Sequence, residues 1–262
     1  MTGQPHPREP VEPHPVMPAY YGKKTQRAGF VRNLFNDTAH HYDRINRLFS
    51  MGSGAWYRRH CLRRAGLRPG MRLLDVAVGT GLVAREAVGL CGAEADVIGL
   101  DLSESMLDQA RRSLDIPLIQ GLAEDLPLAD GSVDFITMGY ALRHVADLTA
   151  TFREFHRVLR PGGTVLLLEI SRPTRPLAWH AMSAYLGWVV PLMSRLTGGG
   201  ASGRTLMRYY WETIDQCVAP EVITRAMSHA GFSQVRCDAE FDLFRNYTGR
   251  KDGRGLAGGM NT

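Results

Sequence analysis

The stretch LLDVAVGTGLVA, residues 73–84, decides the fold class of this chain. An apolar run around Asp75 predicts a buried strand, and the turn that follows contains Gly79 and Gly81. Glycines suit this turn because the backbone bends tightly and a ligand can approach it without meeting a Cβ atom. An apolar pattern from Leu82 onward then predicts a helix. A strand, a glycine turn and a helix in this order predict a nucleotide-binding α/β unit.

Further strands and helices alternate along the chain. The predicted strands cover residues 71–77, 96–101, 116–121, 133–138 and 163–170, followed by a closing pair near 234–239 and 243–247. Predicted helices lie at 30–49, 55–65, 82–90, 103–113, 149–159, 177–196, 204–217 and 220–230. This order of elements predicts an α/β fold with a doubly wound, mostly parallel, seven-stranded, Rossmann-like sheet.

The 262 residues fit one domain with terminal extensions. Residues 1–28 are rich in proline and charge, and we expect a disordered lead-in without the apolar region of a secretory signal. The domain is predicted to cover 29–250, and the tail 251–262 is expected to be disordered. A helical insertion at about 172–218 would lie over the carboxyl ends of the strands, where ligands bind, as a substrate lid.

Composition argues against several function classes. The four cysteines lie far apart, without the spacing of a metal site, so reduced thiols and no bound metal are expected. The net charge of +5 is mild and no recognition motif accompanies it, so nucleic acid is not an expected partner. No unbroken apolar run reaches the ~20 residues of a membrane span. We expect a cytoplasmic protein, and the sequence leaves peripheral membrane contact and homodimer formation open.

A single tight basic cluster stands out before the first strand. It consists of Arg58, Arg59, Arg63 and Arg64. Their spacing places them on one broad face of a predicted helix, which we interpret as a solvated face.

A carboxylate marks where a nucleotide ribose would bind. Asp101 ends the second predicted strand about 20 residues after the glycine turn, within reach of two ribose hydroxyls. Nicotinamide cofactors and S-adenosylmethionine both carry such a ribose, so the glycine motif alone does not separate them. Asp75 favours S-adenosylmethionine, because a carboxylate there would attract the ammonium of its amino-acid tail and repel a pyrophosphate. The segments GLAEDLP (121–127) and RVLRPGG (157–163) favour the same cofactor.

Three longer motifs resemble the ubiquinone/menaquinone-biosynthesis C-methyltransferase family. YDRINRLFSMGSGAWYRR (42–59) resembles the family's YDxMNxxxSxGxxxxWR, and YALRHVADLTATFREFHRVLRPGG (140–163) resembles GxRNVxDxxxALxExxRVLKPGG. YYWETIDQCVAPEVITRAMSHAGF (209–232) resembles YxYLxESIxxFPxxxxLxxMMxxAGF. The resemblance covers about 35–251. It implies a class I methyltransferase that uses S-adenosylmethionine and methylates an aromatic quinol or phenol on carbon.

The resemblance also implies the cofactor contacts. Besides Gly79 and Gly81 of the turn, the family's contacts fall on Thr80, Asp101, its neighbour Leu102, Leu122, Ala123 and Gly139. Leu122 stands where the family usually has Asn or Asp, and Gly139 where it often has Ser. We therefore expect backbone groups and apolar packing to hold the adenine.

Methylation of an aromatic carbon requires a base and a cation, because loss of the phenolic proton makes the ring carbon nucleophilic. Arg143 and His144 follow the fourth strand, where the arginine would stabilise a phenolate and the neutral imidazole would accept the proton. The family has Arg-Asn there, working with a signature tyrosine that falls on Tyr42. His144 departs from that pattern, so either it acts directly as the base or the acceptor differs.

Three function classes remain open at this point. The first is a ring C-methyltransferase acting on a small aromatic acceptor, with or without a prenyl tail, in quinone or secondary metabolism. The second is a small-molecule O- or N-methyltransferase, and the third is a non-catalytic subunit. The intact glycines and Asp101 disfavour the third. In the closing segment, Arg245 and Asn246 are unusual for a buried strand and indicate an edge strand or an altered pocket wall.

Overall fold

In the computed structural model, which describes residues 10–50, 53–92, 97–185 and 200–253, seven strands form one sheet. They are β1 Leu73–Val76, β2 Val97–Asp101, β3 Leu118–Gln120, β4 Val133–Gly139, β5 Leu159–Ile170, β6 Phe232–Glu240 and β7 Phe244–Lys251. Their order is β3-β2-β1-β4-β5-β7-β6, and β7 runs antiparallel to both of its neighbours. The prediction of a doubly wound, mostly parallel sheet is confirmed. Strand order reverses between β1 and β4, so a ligand crevice is expected at their carboxyl ends.

Helices cover both faces of this sheet. They are α1 Arg27–Ser50, α2 Gly54–Arg64, α3 Leu82–Cys91, α4 Glu104–Arg111, α5 Leu148–Val158, α6 Pro176–Ala184, α7 Gly200–Asp215 and α8 Pro220–His229. The helix predicted over 177–196 is described only as far as Tyr185, and the rest of it lies outside the described residues. In the described part of the chain, no helix is long and apolar enough to cross a membrane.

The central strand β1 explains why the sheet holds two cores. Successive side chains of a strand point to opposite faces. Leu73 accordingly packs in one cluster with Leu62 of α2, while Leu74 packs in the other with Phe152 of α5. All four residues of β1 are buried, as expected for a strand covered by helices on both sides.

Residues 10–28 pack against the domain, which corrects the expectation of a disordered lead-in over 1–28. The backbone N–H of Val11 donates to Asp147 at 3.0 Å, and the N–H of Leu148 donates to the carbonyl of Val11 at 2.8 Å. Met17 and Tyr21 are buried in a cluster with α7. Composition was misleading because these apolar side chains are interspersed among the prolines. Residues 1–9 and 254–262 lie outside the described residues.

Arg27 connects this N-terminal segment to the turn after β4. Its buried guanidinium donates to the carbonyls of His14 and Val145 at 3.0 Å each. It also donates to the hydroxyl of Tyr21 at 3.1 Å and to Glu12 at 3.3 Å. One buried cation therefore holds the segment and the turn together.

The edge position considered for Arg245 and Asn246 is wrong, because β7 lies between β5 and β6. Both side chains are buried. Asn246 accepts a hydrogen bond from the hydroxyl of Tyr57 at 3.1 Å and donates to Glu240 at 3.1 Å. Arg245 is 3.8 Å from Asp242. Asn246 is tolerated in this strand because its amide finds both a donor and an acceptor, whereas Nη1 of Arg245 has no hydrogen-bond partner among the described residues.

Replacing the buried cation tests how strongly the N-terminal segment is held. We expect Arg27→Met to lower the free energy of unfolding by roughly 3 kcal/mol, because buried carbonyls and Glu12 lose their donor. Urea denaturation followed by circular dichroism measures the change. Lys24→Met is the matched control, since Lys24 pairs with the same Glu12 from an exposed position. Equal stabilities for the two variants would contradict the anchoring role of Arg27.

Candidate functional site

A cavity lies at the carboxyl ends of β1, β2 and β4, beneath α1 and α7. Most of the residues predicted from the sequence line it: Tyr42, Gly79, Asp101, Leu102, Leu122, Ala123, Gly139 and His144. The other predicted residues, Asp75, Thr80, Gly81 and Arg143, do not line it. A wider polar groove at the amino ends of the strands contains none of the predicted residues.

The turn after β1 has the backbone that its glycines predicted. Ala77, Gly79 and Gly81 have φ angles of 55°, 57° and 86°, in the left-handed region that favours glycine. A Cβ atom at Gly81 would also lie 2.3 Å from a methyl carbon of Leu114, so that side chain would have to move. The turn thereby leads β1 into α3 with its backbone next to the cavity.

Asp101, the last residue of β2, holds this turn in place. Its two carboxylate oxygens accept hydrogen bonds from the N–H groups of Gly79 at 2.7 Å and Ser103 at 2.8 Å. Burial raises the pKa of Asp101 to about 6, and the two N–H donors oppose that rise. Each oxygen keeps a second acceptor position. Asp101 can therefore receive two ribose hydroxyls while it holds the loop in place.

Asp75 lies deeper, behind the turn. Thr137 of β4 donates to one carboxylate oxygen at 2.7 Å, and the other oxygen has no hydrogen-bond partner among the described residues. Burial raises the pKa of Asp75 to about 7, against the effect of Thr137 and the N–H of Ala84. The site thus contains a buried carboxyl with an unused acceptor.

The far end of the cavity is apolar. Leu122 and Ala123 follow β3, and Met106 of α4 is buried beside them. Gly139 ends β4 directly across from Val83 of α3, and a Cβ atom at Gly139 would lie 2.7 Å from a methyl carbon of Val83. A side chain at this position would therefore require Val83 to shift.

Two hydrogen bonds hold α1 over the turn. Thr80 donates to Asp43 at 2.5 Å, and the hydroxyl of Ser103 donates to Asn36 at 2.6 Å. Both acceptors lie on α1, and both donors lie in loops that border the cavity. The helix is therefore fastened to the loops at two points.

His144 lies at the opposite end of the cavity, in the short turn Leu142–His144 after β4. Its ring stacks against Tyr209 and Tyr210 of α7, with centroids at 5.3 and 5.7 Å, and meets the edge of Phe35 at 5.4 Å. Neither ring nitrogen has a hydrogen-bond partner in the described part of the chain. Burial, reinforced by the charge of Arg143, lowers the pKa of His144 well below its usual value. The imidazole is therefore neutral at physiological pH, with both nitrogens available.

Arg143 points away from the cavity. It forms a buried ion pair with Glu169 of β5, and its Nε donates to Thr213 of α7 at 3.2 Å. Its guanidinium lies 4.9 Å from the ring centroid of Tyr210. Arg143 was expected to contact a phenolate directly. In the structure it contacts the ring face of Tyr210, and Tyr210 lines the cavity.

The residue that sequence reasoning missed is Tyr210. Its hydroxyl donates to the hydroxyl of Tyr42 at 3.1 Å, and both rings line the cavity beside His144. Tyr210 stands where the family pattern YxYLxESI has Leu, so a signal was present in the sequence. Glu169 was missed as well, because a lone acid at the end of an apolar strand does not indicate its partner.

Comparisons with known proteins identify the family of this chain. The model of the ubiE/COQ5 methyltransferase family matches residues 21–241. A ubiquinone/menaquinone biosynthesis C-methyltransferase UbiE from Hahella chejuensis is 35% identical over 79% of this chain and 85% of its own length. Its counterpart from Shewanella sp. (strain W3-18-1) is 33% identical over 82% of this chain and 89% of its own length.

Solved structures share the fold at low sequence identity. A SAM-dependent methyltransferase from Aquifex aeolicus superposes with a TM-score of 0.55 at 16% identity, covering 74% of this chain and 88% of the other. Phosphoethanolamine N-methyltransferase 2 from Haemonchus contortus, in complex with S-adenosyl-L-methionine, gives a TM-score of 0.53 at 16% identity, covering 75% and 52%. These likenesses support the fold.

The contribution of Asp101 can be measured by binding. We expect Asp101→Ala to weaken S-adenosylhomocysteine by about 1.5–3 kcal/mol, because a charged acceptor for the ribose hydroxyls is lost. Isothermal titration calorimetry gives the affinity. Asp108→Ala, which removes an exposed acid of α4, serves as the control. Wild-type affinity in the Asp101 variant would show that the ribose binds elsewhere.

The raised pKa of Asp101 predicts a pH dependence. Methylthioadenosine has the ribose but no amino-acid tail, so its binding reports on Asp101 alone. The carboxyl keeps its proton below about pH 6 and then offers fewer acceptors, so affinity should be constant at higher pH and fall by up to about tenfold per unit below that value. A pH-independent affinity in the wild type, or an unchanged acid limb in Asp101→Asn, would contradict this assignment.

Proposed function

Because this chain belongs to the ubiE/COQ5 methyltransferase family, we propose that it methylates a ring carbon of a quinol-type aromatic acceptor held between His144, Tyr42 and Tyr210. The chain is an S-adenosylmethionine-dependent methyltransferase. Its relatives are ubiquinone/menaquinone biosynthesis C-methyltransferases, which supports an aromatic acceptor in quinone biosynthesis. The observation that carries the proposal is the neutral, unpartnered His144 on the cavity wall.

In this proposal the cofactor lies in the cavity across the carboxyl ends of the strands. The apolar end at Leu122 and Ala123 would hold the adenine, and Asp101 would receive the ribose hydroxyls. Gly79 and Gly139 have no side chains and line the cavity between β1 and β4, so the sulfur can lie there without meeting a Cβ atom. This placement directs the transferable methyl toward the aromatic end of the cavity.

The bound cofactor supplies an electrophilic methyl on a positively charged sulfur, so the chain itself needs to orient the acceptor and move protons. In our proposal, Phe35, Tyr42, His144 and Tyr210 enclose the acceptor ring. His144 accepts the phenolic proton on a free ring nitrogen while the ring carbon takes the methyl from the sulfur, whose bond to that methyl breaks. His144 then returns this proton to the acceptor oxygen, takes the proton of the methylated carbon to restore the aromatic ring, and releases it to water when the product leaves.

Arg143 contributes through Tyr210. Its cation lies against the ring face of Tyr210, and that tyrosine in turn donates a hydrogen bond to Tyr42. A cation over the ring makes the hydroxyl a better donor toward negative charge. The paired hydroxyls would therefore stabilise an acceptor oxygen as its proton leaves. Arg143 is a positioning residue here, and Glu169 neutralises it.

The helices of the insertion at 172–218 act as a lid in this proposal. Tyr209, Tyr210 and Thr213 of α7 reach the residues that follow β4. Because α7 also packs on α1 through Leu206 and Val31, acceptor entry would require both helices to shift. A lid excludes water from the reacting ring and keeps the imidazole neutral.

Substitution of His144 tests the proton step. We expect His144→Asn and His144→Ala to retain fold and cofactor affinity but to slow methyl transfer by roughly 10²–10⁴-fold. Single-turnover measurements with a naphthoquinol acceptor, with and without a prenyl tail, isolate the chemical step. Carbon attachment is checked by NMR of the product made with ¹³C-methyl-labelled cofactor. Transfer at the wild-type rate in both variants would exclude His144 as the base.

The pH profile gives an independent check. His144 acts in its neutral form, and burial lowers its pKa well below the usual value, so it stays neutral across about pH 6–9. The wild-type rate of methyl transfer should therefore be flat over that range with respect to this group. A rise in rate through about pH 6.5 would indicate an ordinary, solvent-exposed imidazole as the base.

A further inference from the structure

Four arginines are buried in the described part of the chain, and they differ in their partners. Arg27 donates to several oxygens, and Arg143 has Glu169 and Thr213. Arg245 has Asp242. Arg58 is 8% exposed and makes no hydrogen bond or ion pair within the described residues; its Nε is fully enclosed and unpartnered. A guanidinium keeps its charge, so an enclosed one needs an anion nearby.

The expectation of a solvated face for the basic cluster is wrong for Arg58. It lies on the side of α2 that faces the sheet, together with Tyr57, Cys61 and Leu62. Its neighbour Arg59 points to the surface and pairs with Glu86 at 2.9 Å. The chain therefore directs one arginine of the cluster inward, where no acid of the described residues forms an ion pair with it.

Arg58 lies near the end of the cavity formed by β1 and β4. The buried face of its helix α2 packs in one cluster with Tyr140, directly after β4. Burial raises the pKa of Asp75 and of Tyr140, and the charge of Arg58 opposes both rises. Tyr140 lines the cavity and has a φ angle of 61°, a left-handed backbone that is unusual for a residue with a side chain. The helix that carries Arg58 thus packs beside the cavity wall at the point where strand order reverses.

Asp75 offers the complementary group. One of its carboxylate oxygens is buried and unpartnered, as is the Nε of Arg58, yet no ion pair joins the two side chains. A ligand that carries a cation and an anion on neighbouring atoms would satisfy both. An α-amino acid group has this pattern, with its ammonium suited to Asp75 and its carboxylate suited to the planar fork of an arginine.

Sheet order fixes which part of the cofactor reaches this position. From β3 to β2 to β1 and β4, the cavity offers the apolar end at Leu122, then Asp101, then the region of Tyr140. Adenine, ribose and amino-acid tail follow the same order in S-adenosylmethionine. The tail therefore ends beside Arg58 when the ribose is on Asp101.

We propose that Arg58 binds the carboxylate of the methionine tail of S-adenosylmethionine. The proposal rests on the cofactor placement given under the proposed function. Arg58 is thus a cofactor-binding residue that acts on the tail and has no contact with the adenosine.

Three ligands distinguish binding of the carboxylate by Arg58 from a general structural role of this residue. S-adenosylhomocysteine has the complete tail, its decarboxylated analogue keeps the amine but has no carboxylate, and methylthioadenosine has no amino-acid tail. We expect Arg58→Gln to weaken S-adenosylhomocysteine by about 10–100-fold, the range for a lost hydrogen bond between charged groups. The other two ligands should bind within about twofold of wild type, because neither reaches Arg58 with an anion. Arg58→Lys should recover part of the loss because it keeps the charge.

Arg59→Gln is the matched control, one residue along the same helix and exposed, and should leave all three affinities unchanged. Calorimetry gives the affinities, and thermal melts of each variant report on the fold. Equal weakening of all three ligands by Arg58→Gln, with Arg58→Lys no better, would overturn the proposal and make Arg58 a structural residue. Unchanged binding of S-adenosylhomocysteine would overturn it too. Failure of the wild type to bind any of the three would instead refute the cofactor placement itself.

Discussion

The reversal of strand order between β1 and β4 is the constraint on which the site depends. Parallel strands end at one edge of the sheet, and the loops after β1 and β4 leave that edge in opposite directions. The gap between them brings together Asp101, the glycine turn, Tyr140 and His144, which are far apart in the sequence. Because each group is fixed to a strand end, the proposed order of adenine, ribose, tail and acceptor follows the order of the strands.

Burial then sets the charge of each group. It raises the pKa values of Asp75 and Asp101 and lowers that of His144, since each is more stable uncharged when removed from water. Arg143 stays charged and is paired with Glu169. Arg58 stays charged without such a partner. In the proposed placement, the buried cation at the acceptor end is thus paired, whereas Arg58 at the tail end has no partner among the described residues, which suits a cofactor that brings its own carboxylate.

Sequence reasoning predicted what depends on local spacing. The strand containing Asp75, the glycine turn and the acid at Asp101 occupy adjacent βα units, so their geometry follows from a short motif. It could not predict that Arg143 turns toward Glu169, because that contact joins β5 to a turn 26 residues earlier. The packing of residues 10–28 was missed for the same reason: its anchor, Arg27, reaches a carbonyl 118 residues away. Composition carries no information on such partners.

The acceptor end shows how two departures from the family pattern depend on each other. His144 replaces Asn and Tyr210 replaces Leu, and their rings stack at 5.7 Å. A buried imidazole is a weak base, so proton transfer to it from a phenol is unfavourable on its own. The phenolate must then be stabilised by nearby donors, and the paired hydroxyls of Tyr42 and Tyr210 are the groups in position to do so. In the proposed mechanism, His144 as the base therefore requires Tyr210, and the cation of Arg143 against its ring strengthens that donor.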